Sequence, residues 1–398
     1  MTKEKKPHFI IKKNLQKSKK TGKYFSDDLT KKVLRDVCIK LTNKDDYTVQ
    51  FVNNDYEDNF YEKGYNKGRM AILLYDDCVN YISFSESGIN GRNSSVQSVP
   101  TAFNLFYNSK IKNKSLHYYF LESKGNLETD YHLFIYRLMS TIGFNFINDD
   151  VLENDIISFN SIDDIIHTRT SNKGKNKSNN STYVTKSSRF EIDIYGKTYG
   201  ASKYESAMIC YALSILALKK QTIKLYEVLE QDLKELPKKT RDTIEKMGVI
   251  DIIPTDMKLE KIVFNENNSL RSPRYLYNLL NKFGEKKCAF CDCNIPESIQ
   301  GAHIWPVAEI KKDKISTFDQ KLDWAIDGEN GLWLCSNHHT WFDKNIIRIS
   351  LNGDILIDDK VDLSERKFIK EMTTVKKLPK DYLTPEFVRY VKKRYNLK

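Results

Sequence analysis

The chain has 398 residues, 40% of them hydrophobic and 12% aromatic, and a formal net charge of +11. The length exceeds one ordinary core and implies two or three domains, and the apolar content excludes a wholly disordered chain. The charge points to a polyanionic partner, with a lysine- and asparagine-rich background as the plain alternative.

Residues 1–24 carry nine lysines against one acid and read as a mobile basic arm, able to touch phosphates or simply solvated. The arm lacks the apolar run of a signal peptide. Residues 25–170 read as a mixed α/β domain, a possible DNA-recognition region. Helical spacing runs from Asp27 to Leu41 and from Tyr131 to Ile142, and strands fit Tyr47 to Val52, Met70 to Tyr75 and Leu116 to Leu121. The aromatics of Tyr131 to Ile142 are expected in the core rather than on a stacking surface. Between Gly88 and Ser98 the residues Arg92, Asn93 and Ser94 could donate to phosphates or base edges, or form an ordinary surface loop.

Residues 171–184 are polar and basic, and are expected to form a flexible linker. Residues 185–270 read as a helical middle unit, opening on a hairpin that turns near Gly196. Helices are expected at Ile223 to Leu236 and Lys238 to Met247, separated by Pro237. The longest apolar run, Ala207 to Leu218, is too short to span a bilayer, so no membrane partner and a cytoplasmic location are expected. Residues 271–360 form the next domain. Its entry helix starts at Ser272-Pro273 and stops at Gly284, and all four tryptophans lie beyond it. Asn352-Gly353 predicts a type I′ hairpin between two short strands. Residues 361–398 are a basic tail with spaced aromatics, either lying on a DNA backbone or packed as a helix with a solvated basic face.

Seven cysteines, an odd number, make poor disulfide arithmetic, and Cys288, Cys291 and Cys293 are grouped. Cys288-Ala-Phe-Cys291 is one half-site for zinc and Cys335-Ser-Asn-His338 is a second, together offering three thiolates and an imidazole. Cys293 could replace one of the four. Within this frame stand GAHIWP and ENGLWLCSNHHTWFD. An extended run from Ile299 to Trp305 would hold His303, Gly331 to Cys335 would be its partner strand, and Ser336 or Asn337 would cap a following helix. On that helix His339 and Asp343 fall at i and i+4, on one face.

These strings resemble the HNH (ββα-metal) endonuclease family, in the variant that reads Ala-His-Ile-x-Pro and then Asn-Gly-Leu-x-Leu and His-x-x-Phe-Asp. The resemblance covers about seventy residues. It implies His303, Asn330 and His339 as catalytic positions, a structural Zn²⁺ on Cys288, Cys291, Cys335 and His338, and a catalytic Mg²⁺ or Mn²⁺. Many members carry a metal-binding Asp directly before the base histidine, where this chain has Ala302. The metal is therefore assigned to His339 and Asp343, with Asn330 fixing the loop and the orientation of His303 or else contributing a ligand oxygen. A histidine poised near neutral pH suits the role of general base.

The fold expected is α+β: an α/β N-terminal domain, a helical middle unit and a zinc-stapled nuclease domain. The plan resembles type II restriction endonucleases, which implies a site-specific enzyme acting on double-stranded DNA by a one-metal mechanism, a possible homodimer, and a cognate DNA methyltransferase as a genetic partner. The alternatives are a modification-dependent endonuclease, a nuclease toxin, and a non-enzymatic zinc-containing DNA-binding protein.

Overall fold

In the computed structural model, which describes residues 6–12, 29–52, 70–84, 98–121, 130–171, 182–197, 202–228, 236–266 and 272–397, the α+β chain divides into two units. The first comprises residues 1–182, 197–219 and 232–252, and the second residues 183–196, 220–231 and 253–398.

The first unit is built on β1 (His8–Lys12), β2 (Thr48–Val52), β3 (Met70–Tyr75), β4 (Cys78–Phe84), β5 (Lys114–Tyr119) and β6 (Asn145–Phe146), in the order β2-β1-β3-β4-β5-β6. β1 runs parallel to β2 and antiparallel to β3, whereas β4, β5 and β6 are mutually parallel neighbours. Helix α1 (Lys31–Thr42) covers one face. Its Leu34, Val37 and Cys38 pack with Phe9, Ile11, Leu73 and Phe84, and its N-terminus is capped by the Thr30 hydroxyl.

β1 corrects the reading of residues 1–24 as a basic arm. Phe9 and Ile11 alternate inward with no exposed surface, and that period-2 burial outweighs the flanking lysines. The rest of the arm, most of the linker at 171–184, and Arg92, Asn93 and Ser94 lie outside the described residues.

Helices α2 (Val99–Asn108), α3 (Asp130–Thr141), α4 (Ile162–Ser171), α5 (Ser202–Leu216) and α6 (Lys238–Met247) complete the unit. The expectation for α3 holds, since Tyr131, Phe134 and Tyr136 are buried. Polar bonds index the helices. Asn104 of α2 donates to Thr240 of α6 at 3.2 Å and accepts from Tyr211 of α5 at 2.6 Å. Buried Arg169 is paired with buried Glu205. Among the described residues, no helix is long and apolar enough to cross a membrane.

The second unit opens on β7 (Thr182–Lys186), β8 (Glu191–Lys197), β9 (Thr222–Val228) and β10 (Ile250–Thr255), a sheet ordered β10-β9-β8-β7. The segment at 185–270, read as helical, thus carries β8, β9, β10 and the end of β7. The helix expected from Ile223 is strand β9, because Ile223 and Leu225 point inward while Lys224 and Tyr226 are more open. The β7–β8 turn lies at Ser187–Phe190, where Ser187 N–H donates to Glu191 O at 2.9 Å, and Gly196 sits inside β8.

Next come α7 (Met257–Glu266), α8 (Pro273–Phe283), β11 (Ile299–His303), α9 (Val307–Lys312), α10 (Phe318–Ile326), β12 (Gly331–Cys335), α11 (Ser336–Asp343), β13 (Ile347–Ile349), β14 (Ile355–Ile357), α12 (Leu363–Met372) and α13 (Pro385–Tyr395). Ser272 caps α8 through Tyr275 N–H, and Gly284 ends it at φ +75°, as the sequence implies. The β13–β14 hairpin does form, but not as type I′. Gly353 is left-handed while Asn352 is not, Gly353 N–H donates to Ser350 O, and Ser350 N–H donates to Asp354 O. That is a type I turn closed by a glycine bulge.

Candidate active site and metal centre

β11 and β12 form an antiparallel pair in which His303 faces Gly331 and Ile299 faces Cys335. Helix α8 presses on this pair where it has no side chains. A Cβ on Gly301 would come within 2.7 Å of Leu279, and one on Gly331 would collide with Tyr275 and Leu279. The close approach brings the Tyr275 ring against the His303 imidazole, stacked at 4.1 Å between centroids and 10° between planes.

His303 is half-buried, and its Nε2 lies 2.9 Å from the carbonyl oxygen of Ala325. A carbonyl only accepts, so Nε2 carries the hydrogen and Nδ1 is the basic nitrogen of the ring. Asn330 has no exposed surface. Its Oδ1 accepts from Trp305 N–H at 2.7 Å, and its Nδ2 donates to the Trp305 carbonyl at 3.1 Å and the Trp324 carbonyl at 3.0 Å. Its own carbonyl accepts from Ile304 N–H at 3.0 Å. Of the two roles open to Asn330, these bonds favour pinning the strand just after His303. The oxygen that could have reached a metal is committed to the backbone.

α11 follows β12 without a break. Cys335 occupies the cap position, and Ser336 is the first helical residue with its hydroxyl on Ser298 O, so neither Ser336 nor Asn337 is the cap that the sequence suggested. His339 Nε2 and Asp343 Oδ2 lie 3.5 Å apart on one face, the carboxylate largely open to solvent. The pair is brought together as the i, i+4 spacing implies. Ala302, directly before His303, is fully buried.

The structural cluster takes one member from α11, His338, the residue directly before His339. The ligand atoms of Cys288, Cys291, Cys335 and His338 all lie within 4.8 Å of one another, and all four residues are buried. His338 Nδ1 is 3.1 Å from Cys335 Sγ and 3.5 Å from Cys288 Sγ, and the Cys291 and Cys335 sulfurs are 4.0 Å apart. Tetrahedral zinc, with bonds of about 2.0–2.3 Å, sets its donors at such separations, so the donor set fits. The Cys335 thiol is pulled down to about 3, first by the bond from Cys288 and then by His338. That same bond and burial push Cys288 up, and burial pushes Cys291 up. A bound cation would favour the thiolate form of all three sulfurs.

His338 Nε2 lies 3.1 Å from Thr373 Oγ1, whose hydroxyl donates to Ile369 O at 2.7 Å. Thr373 must therefore accept from Nε2–H, which leaves Nδ1 with its lone pair toward the sulfurs. Cys293 stays out of the cluster and contributes its backbone carbonyl to Cys288 N–H at 2.9 Å. Among the described residues this is the one group of three or more metal-ligating side chains drawn together; His339 and Asp343 form a pair.

A two-stranded antiparallel pair, a helix launched from its second strand, a histidine on the first strand and a Cys₃His staple define a ββα-metal finger. Residues 288–350 match the family model for HNH endonuclease. No curated protein matches the chain. This part of the chain is an HNH endonuclease domain, which supports a nuclease function for the protein.

Sequence reasoning missed Tyr275, the Ala325 carbonyl, Thr373 and the contacts of α13. Tyr275 had one available signal, the two glycines whose missing side chains admit it.

Proposed function

We propose that the protein is a restriction-type, site-specific endonuclease that hydrolyses phosphodiester bonds of double-stranded DNA with one catalytic Mg²⁺ or Mn²⁺. The observation that carries the reading is His303, a histidine on a rigid strand with its tautomer set by the Ala325 carbonyl, inside an HNH domain. Nδ1 of His303 takes the proton of the attacking water. The Tyr275 stack and the Asn330 bonds hold the ring and its strand, limiting reorganisation when the proton moves. His339 and Asp343 supply the protein ligands for the catalytic cation, with Asp343 replacing the carboxylate that Ala302 lacks. When bound, a divalent cation neutralises the phosphate and assists the departing oxygen.

An HNH finger grips backbone and metal and carries little sequence information, so the residues before it are assigned to base reading. One active site per chain makes double-strand cutting a two-chain event, which favours a homodimer during cleavage. A cognate DNA methyltransferase is the expected genetic partner, and the cytoplasm the expected location.

The test is conversion of supercoiled plasmid. Nicked or linear product with added Mg²⁺ or Mn²⁺, none with EDTA, and discrete fragments from longer DNA are expected. No product from plain or methylated DNA with either metal would overturn the reading; cutting of methylated DNA alone would make the enzyme modification-dependent.

A further inference from the structure

The residues beyond 350 lie outside the family match, yet α13 makes side-chain hydrogen bonds to the chain just after β11 and to the end of α11. Its apolar side, Phe387, Tyr390 and Val391, is buried in the same core as β11 and β12. The Thr384 hydroxyl donates to Glu329 at 2.5 Å, and the Tyr390 hydroxyl donates to Asp327 Oδ2 at 2.8 Å. Asp327 Oδ1 in turn accepts from Glu329 N–H at 2.9 Å, so α13 braces the turn that carries Asn330.

Arg394, in the last turn of α13, reaches further. Its Nη1 donates to Ile304 O at 2.8 Å, its Nη2 to Phe342 O, and its Nε to Asn345 Oδ1 at 3.2 Å, while its guanidinium carbon lies 3.9 Å over the Phe342 ring. Ile304 follows His303 and Phe342 precedes Asp343. The Phe342 carbonyl, which also accepts from Asn345 N–H at 3.0 Å, lies at the C-terminal end of α11, where a cation is favoured. A lysine has one point of donation, whereas the guanidinium plane offers fixed donors in several directions at once. Burial pulls the Arg394 pKa down, but a guanidinium starts high enough to stay charged, and nearby Asp343 favours that form.

We propose that Arg394 is a positioning residue that locks the base-bearing end of β11 to the ligand-bearing end of α11, so that the C-terminal helix is an integral part of the nuclease. Arg394 bonds both carbonyls; the catalytic meaning of that link rests on the nuclease reading above. Arg394 touches neither water nor metal in this scheme. It sets the spacing between Nδ1 of His303 and the His339–Asp343 pair.

The test uses full-length wild type, Arg394→Ala and Arg394→Lys, read by backbone hydrogen exchange and by plasmid nicking across a Mn²⁺ titration. In Arg394→Ala, exchange should quicken about tenfold or more at residues 303–306 and 340–346 while the knuckle at 288–291 is unchanged. Half-maximal nicking should need about tenfold more Mn²⁺, and added methylguanidinium should restore part of the rate. Arg394→Lys should fall between, and it carries the same comparison if the alanine variant does not fold. Unchanged exchange at both segments, or a uniform quickening across the whole unit, overturns the lock. Localised quickening in a protein whose wild type does not nick leaves the lock standing and removes the nuclease reading.

Discussion

At the scale of single residues, the name-giving asparagine of the motif and its histidine differ in kind. Asn330 spends both ends of its amide on backbone groups of Trp305 and Trp324. Asn330→Ala would leave a buried N–H and two carbonyls short of partners, a cost of about 2–4 kcal/mol. Denaturant melts should show that loss, and zinc content should not change in the folded fraction. Asn330→Asp should do no better, since a carboxylate cannot donate to two carbonyls. An alanine variant of wild-type stability that has lost Mn²⁺ affinity would instead make Asn330 a ligand. The grouping of Cys288, Cys291, Cys335 and His338, and the pairing of His339 with Asp343, were legible, because motif spacing fixes residue types along the chain. The atoms that set their states were not. The Ala325 carbonyl, the Tyr275 ring and the Arg394 fork come from distant segments, and a backbone carbonyl leaves no compositional trace.

At the scale of elements, the Cys₃His cluster takes its outer hydrogen-bond partner from the C-cap of α12, where Thr373 lies behind His338. Thr373→Val keeps the shape and removes the acceptor for Nε2–H. Loss of such an outer partner typically costs 10- to 100-fold in metal affinity. Competition with a chromogenic chelator should show zinc leaving Thr373→Val at correspondingly lower chelator concentration, with Thr373→Ser close to wild type. Equal retention by all three proteins would make the Thr373 bond incidental.

A second element-scale case is β5 of the first unit. His117 Nε2 lies 2.8 Å from Ser115 Oγ, Ser115 donates to Asn80, and Asn80 donates to Leu73 O, a chain across three strands. Burial lowers the His117 pKa from 6.5 to about 4. The unfolded chain therefore takes up the proton first, so stability is full above about pH 6.5 and falls as the pH drops toward 4. The shift corresponds to a loss on the order of 3 kcal/mol. Urea melts at pH 7 and 4.5 should show a smaller acid-induced loss in His117→Gln than in wild type, and parallel losses would contradict the assignment. Elements with one dominant period, such as α3, α8 and β3, were read correctly from sequence. β9 was not, because a seven-residue apolar alternation ahead of polar residues also satisfies a short helical stripe, and only its neighbours β8 and β10 decide between them. β1 was hidden by the lysines around it.

At the scale of the whole molecule, the sequence locates the chemistry better than it locates the boundaries. The family match ends at residue 350, yet the core of the second unit runs on through Ile369, Leu378, Phe387 and Tyr390. The basic tail thus carries two helices, α12 and α13, that contribute to this core, in line with the second of its two sequence readings. Its cations were visible in the composition, but which of them turns inward depends on the strand and helix it meets. Net charge likewise says nothing of which face a polyanionic partner would meet.

The central claim is that His303 is the general base of a metal-dependent DNA cleavage. It is tested most directly by plasmid nicking with wild type and His303→Ala, both titrated with Mg²⁺ and both assayed for zinc content and melting temperature. The expected result is a folded, zinc-replete variant whose nicking rate falls by about 10²–10⁴. A His303→Ala protein that nicks at the wild-type rate, or one that is inactive only because it melts early and sheds its zinc, would contradict the account.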